Sequence, residues 1–158
     1  MTEIVEHPER PYLGIRREIT MTTFGLVGDR IGEMIGWLIE RGAFPAGAPF
    51  FRYDVVDMDN DRLVVQAGVP ITQAVEPEGD YFTDALPAGR YATVRHHGHP
   101  DGLMAVTAEL LSHDLKWDMT QEADGEHWAG RTEHYLTNPM EQPDLNEWDV
   151  ELQFLVRD

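Results

Sequence analysis

The chain contains no cysteine, which excludes disulfides, thiolate nucleophiles and cysteine-ligated zinc and leaves the redox compartment open. Basic residues are scarce: 12 Lys and Arg stand against 29 Asp and Glu, a formal net charge of -17. Such a surface repels a phosphate backbone, so direct nucleic-acid binding is not expected. Long apolar runs are missing too. Nowhere do about 18 apolar residues follow one another, and the opening MTEIVEHPERPY has no apolar core segment. Neither a membrane span nor a secretory signal is expected, and a cytoplasmic location is the default. The acidic balance has a plain meaning, solubility, and a sharper one, attraction of cations.

What remains is the material of one domain. Of 158 residues, 42% are hydrophobic and 26% charged, which suits a single globular unit with its own core over residues 1–158. A polar leader runs to about Pro11 and a strand to Ile19. Phe24, Val27, Ile31, Met34, Ile35 and Leu38 then recur at three- and four-residue steps, a helix capped by Gly42. Phe50 to Asp57 and Leu63 to Val69 read as a hairpin about Asp59-Asn60-Asp61, and a Pro/Gly/acid-rich connection, Glu76 to Asp80, precedes Tyr81 to Leu86 and the turn Pro87-Ala88-Gly89.

A second round follows. Arg90 to His97 reads as a strand, Pro100 opens a helix through Leu103, Val106 and Leu110, Lys116 to Gly130 reads as a polar loop, and strands 131–137 and 148–156 close the chain. Two successive β-α-β-β units predict an α+β domain with two helices on one antiparallel sheet and a pocket between the halves.

Phe51-Arg52-Tyr53, Ala67-Gly68-Val69-Pro70, Leu86-Pro87-Ala88-Gly89-Arg90-Tyr91-Ala92, His97-Gly98 with Asp101-Gly102-Leu103, Tyr135-Leu136-Thr137-Asn138-Pro139 and Glu147-Trp148 leading to Glu151 occur in this order. In that order and spacing the chain resembles the GyrI-like family of small-molecule-binding, effector-binding domains. The resemblance implies a duplicated β-α-β-β fold in which a glutamate on the last strand faces a ligand among aromatic side chains; the W-x-x-E match makes that glutamate Glu151. Relatives that act as regulators carry an N-terminal DNA-binding region, whereas about a dozen residues precede the first strand here, so a stand-alone member is expected.

The resemblance implies a binding protein for hydrophobic, cationic, drug-like ligands, with Glu151 as counter-charge and Tyr53, Tyr91, Trp128, Tyr135 and Trp37 as candidate walls. A carboxylate shielded from water without a partner favours a cation in its place. An aromatic ring adds roughly 0.5 to 2 kcal/mol of cation–π attraction. The alternative is a hydrolase that opens cyclopropanoid electrophiles of DNA-alkylating natural products, with Glu151 as general base and Tyr135 orienting or protonating the ring. A gyrase-inhibitor-like module that binds a protein partner is a third reading. Periodicity alone places Glu151 opposite Val150, Leu152 and Phe154, on a surface, and Tyr135 shares a face with Glu133 and Thr137 with the same ambiguity.

Two further patterns carry less. Gly28, Gly32 and Gly36 stand at four-residue steps, each weakening a helix by about 1 kcal/mol, which predicts a close neighbour there. His96, His97 and His99 cluster, but alternation sends the first two to opposite faces, so neither a metal site nor a haem ligand is expected. No cofactor is called for, since no glycine-rich phosphate loop or H-E-x-x-H spacing occurs.

Overall fold

The computed structural model describes residues 2–157. Ten strands form one curled antiparallel sheet: β1 (Glu3–His7), β2 (Arg10–Ile19), β3 (Phe50–Asp57), β4 (Arg62–Pro70), β5 (Phe82–Leu86), β6 (Gly89–His97), β7 (Met119–Glu122), β8 (Gly125–Trp128), β9 (Arg131–Tyr135) and β10 (Asp149–Leu155). The helices are α1 (Gly25–Gly28), α2 (Ile31–Glu40) and α3 (Leu103–Leu111). The spatial order β1-β6-β10-β9-β3-β4-β2-β5 shows the duplication directly. Each half contributes its hairpin to the middle and its first strand further out, and the halves meet where β3 pairs with β9.

The expected α+β architecture is therefore present, with four changes of detail. The leader is partly a strand: Glu3–His7 pairs with β6, from Glu3 opposite Thr93 to His7 opposite Gly89. Charged side chains at Glu3 and Glu6 on a short strand suit an edge, and β1 flanks β6 as β5 flanks β2. The first helix is broken at Asp29–Arg30 into a single turn and α2. Gly25 and Gly28 weaken helix there, and Arg30 turns out to hydrogen-bond Asp80 at 2.9 and 3.0 Å. Gly42, at φ +72°, ends α2 as expected, with Gly42 N–H on the Ile39 carbonyl and Ala43 N–H on that of Leu38.

The third change is the segment read as a polar loop, which contains the hairpin β7–β8. Glu122 pairs with Gly125 around a two-residue turn, and β8 adds to β3 beyond that strand's bulge, with His127 opposite Val55. Gly125 has φ +117°, and a Cβ there would stand 2.7 Å from the Val56 carbonyl oxygen. Only glycine fits that approach. Fourth, the glycine ladder is only partly explained by contact: a Cβ at Gly28 would meet the Phe51 ring at 3.3 Å, whereas Gly32 and Gly36 have nothing within 4 Å.

The main core lies between the sheet and the helices. Leu13, Ile15, Val65, Ala67, Leu152 and Phe154 pack from the strands against Val27, Met34 and Leu38 of the first half and Leu103 and Leu110 of the second. Burial of such side chains stabilises by about 1.5 to 3 kcal/mol each. The opposite face of the sheet carries a smaller cluster of Tyr12, Phe50 and Leu86. A Cβ on Gly68 would come within 2.5 Å of the Phe50 ring and 2.9 Å of Tyr12, so the absence of a side chain there makes room for both rings against β4. Among the described residues no helix is long and apolar enough to cross a membrane.

Candidate functional site

The seam between the halves sets the site. In an antiparallel pair, opposed residues point to the same face. Phe51 opposes Glu133 across β3–β9, and Val150 and Leu152 oppose Tyr135 and Glu133 across β9–β10. Phe51, Tyr53, Arg131, Glu133 and Tyr135 thus share the helix-side face. An irregularity between Tyr53 and Val55 inserts one residue into β3, which returns Val56 to the same side.

Above this floor lies a cleft of about 670 Å³, walled by Phe24 and Met21 from the first half and by Leu103, Met104, Thr107 and Leu111 of α3 from the second. Met21, Met58 and Met104 border it with 39%, 54% and 67% of their surface exposed. These flexible thioether side chains give the rim adaptable apolar surface. Phe51 sits between Phe24 and Tyr135, with ring centroids 5.7 and 5.3 Å away.

Glu133 is the carboxylate at the bottom. Its Oε1 accepts hydrogen bonds from the Tyr53 hydroxyl at 2.9 Å and the Tyr135 hydroxyl at 3.2 Å. Among the described residues Oε2 takes no hydrogen bond, and no Lys, Arg or His nitrogen lies within 4.0 Å of the carboxylate. Burial pushes the Glu133 carboxyl above its ordinary value, only partly offset by the two hydroxyls and the Arg131 charge. The same burial, together with the Glu133 charge, raises both tyrosine hydroxyls, so they stay protonated as donors.

The structure brings Tyr53 and Tyr135 together here, but separates them from Glu151. Glu151 opposes His134, not Tyr135, so the one-residue parity of β10 sends it through to the other face. The expectation that Glu151 and Tyr135 share a pocket is corrected accordingly. Glu151 borders a smaller hollow of about 310 Å³ with Arg10, Phe50, His134 and Gln153, and lies 3.9 Å from Arg95. Tyr91 is also on that face, fully buried, its hydroxyl donating to the Pro87 carbonyl at 2.6 Å. Trp37 lies on α2 against Tyr81, under the Arg41 guanidinium at 3.9 Å. Trp128 is packed behind the floor against Phe154, its Nε1–H donating to Glu126 at 3.1 Å.

The residues missed from sequence are Glu133 as the pocket charge and Phe24, Phe51 and Arg131 as its neighbours. Their signal was the shared parity of Glu133 with Tyr135 and of Phe51 with Tyr53. The histidine cluster does not converge: His96 Nε2 lies 3.1 Å from the His99 carbonyl, and His97 pairs with Asp149 at 3.0 Å. Glu122, Asp124 and His127 on the β7–β8 hairpin offer ligand atoms within 4.8 Å of one another, but two of the three are already engaged with each other, His127 Nε2 lying 2.7 Å from Asp124.

Several solved structures share this fold. EcmrR in a complex with DNA matches all of this chain at 18% identity and a TM-score of 0.78, and this chain spans 57% of the length of that one. The EcmrR C-terminal domain matches at 19% identity and 0.76 over all of this chain and 98% of its own. SAV2435 bound to tetraphenylphosphonium matches at 10% and 0.56, over 99% of this chain and 94% of its own. A hydrolase from Listeria innocua matches at 12% and 0.67, over 99% and 91%. No curated protein matches the sequence. The GyrI-like small molecule binding domain, by contrast, matches residues 1–157, essentially from end to end, and the chain belongs to that family.

Proposed function

We propose that this domain binds hydrophobic cations of drug-like size in the cleft between its halves, with Glu133 as counter-charge. The carrying observation is the Glu133 carboxylate, held by two tyrosine hydroxyls and left without a cation within 4.0 Å among the described residues. A desolvated carboxylate in that state gains most from a positive ligand, and the surrounding rings add cation–π attraction to a lipophilic one. The tetraphenylphosphonium bound by SAV2435, a lipophilic cation in a protein of the same fold, supports the reading. Glu133 replaces Glu151 in this role, and Phe24, Phe51, Tyr53 and Tyr135 replace the wider set of walls.

Calorimetric titration with tetraphenylphosphonium tests it. Glu133→Gln is expected to weaken binding about tenfold or more, about 1.4 kcal/mol, while Glu151→Gln leaves affinity unchanged. Equal affinities for wild type and Glu133→Gln would contradict the proposal.

A hydrolase reading is favoured by one specific feature, the pairing of a free Oε2 with two hydroxyls on Oε1. A carboxylate with a raised pKa is a suitable base near neutrality. In this reading Glu133 takes the proton of a water that adds to a carbon of a strained ring. Tyr135 protonates the atom released as the ring opens and regains its proton from Glu133. The Listeria innocua hydrolase of the same fold supports this reading. A ring-opened product formed from a cyclopropane alkylator by wild type, and lost in Glu133→Gln, is the expected result; no product from wild type leaves binding alone.

A further inference from the structure

The cleft floor holds a second charge that a simple cation would leave unused. Arg131 stands two residues before Glu133 on β9 and on the same face, roughly 7 Å along the strand at ordinary strand rise. Its side chain is 12% exposed, with the guanidinium 4.8 Å from the Phe154 ring centroid, 4.9 Å from Trp128 and 5.5 Å from Tyr53. Among the described residues it makes no hydrogen bond, and Nε is buried without a partner. The nearest acid, Glu126, lies 3.7 Å from Nη1, and its near oxygen is already engaged by Trp128 Nε1–H. Arg131 nevertheless lines the cleft.

A guanidinium has five donors in a planar fork and stays charged at neutral pH. Buried donors without acceptors cost stability, and a two-oxygen anion restores them in a bidentate arrangement. A purely cationic ligand seated on Glu133 leaves that deficit in place and is repelled by Arg131. A ligand carrying an acceptor at the right spacing removes both penalties.

Resting on the cation-site reading above, we propose that the preferred ligands of this cleft are dipolar aromatic molecules. Their cationic group sits on Glu133, and a carboxylate or sulfonate of the same molecule sits on Arg131. The rings between them lie along Phe51 and the methionine rim.

Rhodamine B, a xanthene cation bearing a carboxylate, and its ethyl ester, the same cation without the anion, make a matched pair for fluorescence-polarisation titration. Wild type is expected to bind rhodamine B about tenfold or more tightly than the ester. Arg131→Gln should abolish that preference by weakening rhodamine B alone, with ester affinity kept or improved. Arg131→Lys, which keeps the charge but loses the fork, should retain part of the preference. Glu133→Gln should weaken both dyes. Wild type binding the ester as well as or better than rhodamine B overturns the dipolar proposal while the cation site stands. Failure of wild type to bind either dye overturns both. The wild-type comparison decides the matter even where a substitution at Arg131 impairs folding.

Discussion

At the scale of single residues, two titratable groups on adjacent positions of β9, half-buried Glu133 and buried His134, act in opposite senses. Burial raises the Glu133 carboxyl in the folded protein, so the folded state holds its proton more tightly than the unfolded chain. The stability this contributes is present below the unfolded value and lost as pH rises through the folded one. Glu133→Gln, which keeps an acceptor for both tyrosines, is therefore expected to melt at or above wild type at pH 7 and to lose that advantage in acid. A variant less stable at pH 7 than in acid, relative to wild type, would contradict the sign. Binding of a cation runs the other way, strengthening as the carboxylate forms.

His134, on the opposite face beside Phe50, is lowered from 6.5 to about 3 by burial first and then by the Arg10 and His7 charges. Its contribution is complete above the unfolded value and is lost as pH falls from 6.5 toward 3. The urea midpoint of wild type should therefore fall over that interval, and His134→Gln should remove part of the fall; an equal fall in both would contradict the assignment. Parity along β9 and β10 was readable in the residues: Glu151 alternates with Val150, Leu152 and Phe154, and this correctly separated it from the apolar face. What a single strand does not reveal is which acidic residue ends beneath a cleft, because that depends on the strand and helix placed opposite.

Among the elements, the β7–β8 hairpin carries the site's least expected contribution. It positions Glu126 beside Arg131 and Trp128 behind it, and its registration on β3 requires Gly125. Gly125→Ala would strain a backbone at φ +117° and press a Cβ to 2.7 Å from the Val56 carbonyl. A loss of about 2 to 4 kcal/mol is expected, measured by urea unfolding; a change under about 0.5 kcal/mol, the size of an ordinary surface substitution, would contradict the packing account. The hairpin escaped sequence reading because its strands are four residues each and mostly polar, leaving little alternation to detect. The hairpin β3–β4 and helix α3 were plain because their apolar periods are long.

Over the whole molecule, duplication was visible as two rounds of strand, helix and hairpin, and the α+β fold with a central pocket followed from it. The meeting of β3 with β9 and the use of β1 to complete the second half were not visible, since long-range pairing leaves no local pattern. That seam is nonetheless what creates the cleft: it sets Phe51 and Tyr53 from one half against Glu133 and Tyr135 from the other. The seven methionines of the chain report on it directly. With methyl-labelled methionine, addition of tetraphenylphosphonium should shift the NMR signals of Met21, Met58 and Met104 at the cleft rim and leave those of buried Met34 and of Met140, 90% exposed and outside the cleft, in place. Saturating ligand that leaves the three rim methyls unmoved would contradict the placement of the binding site.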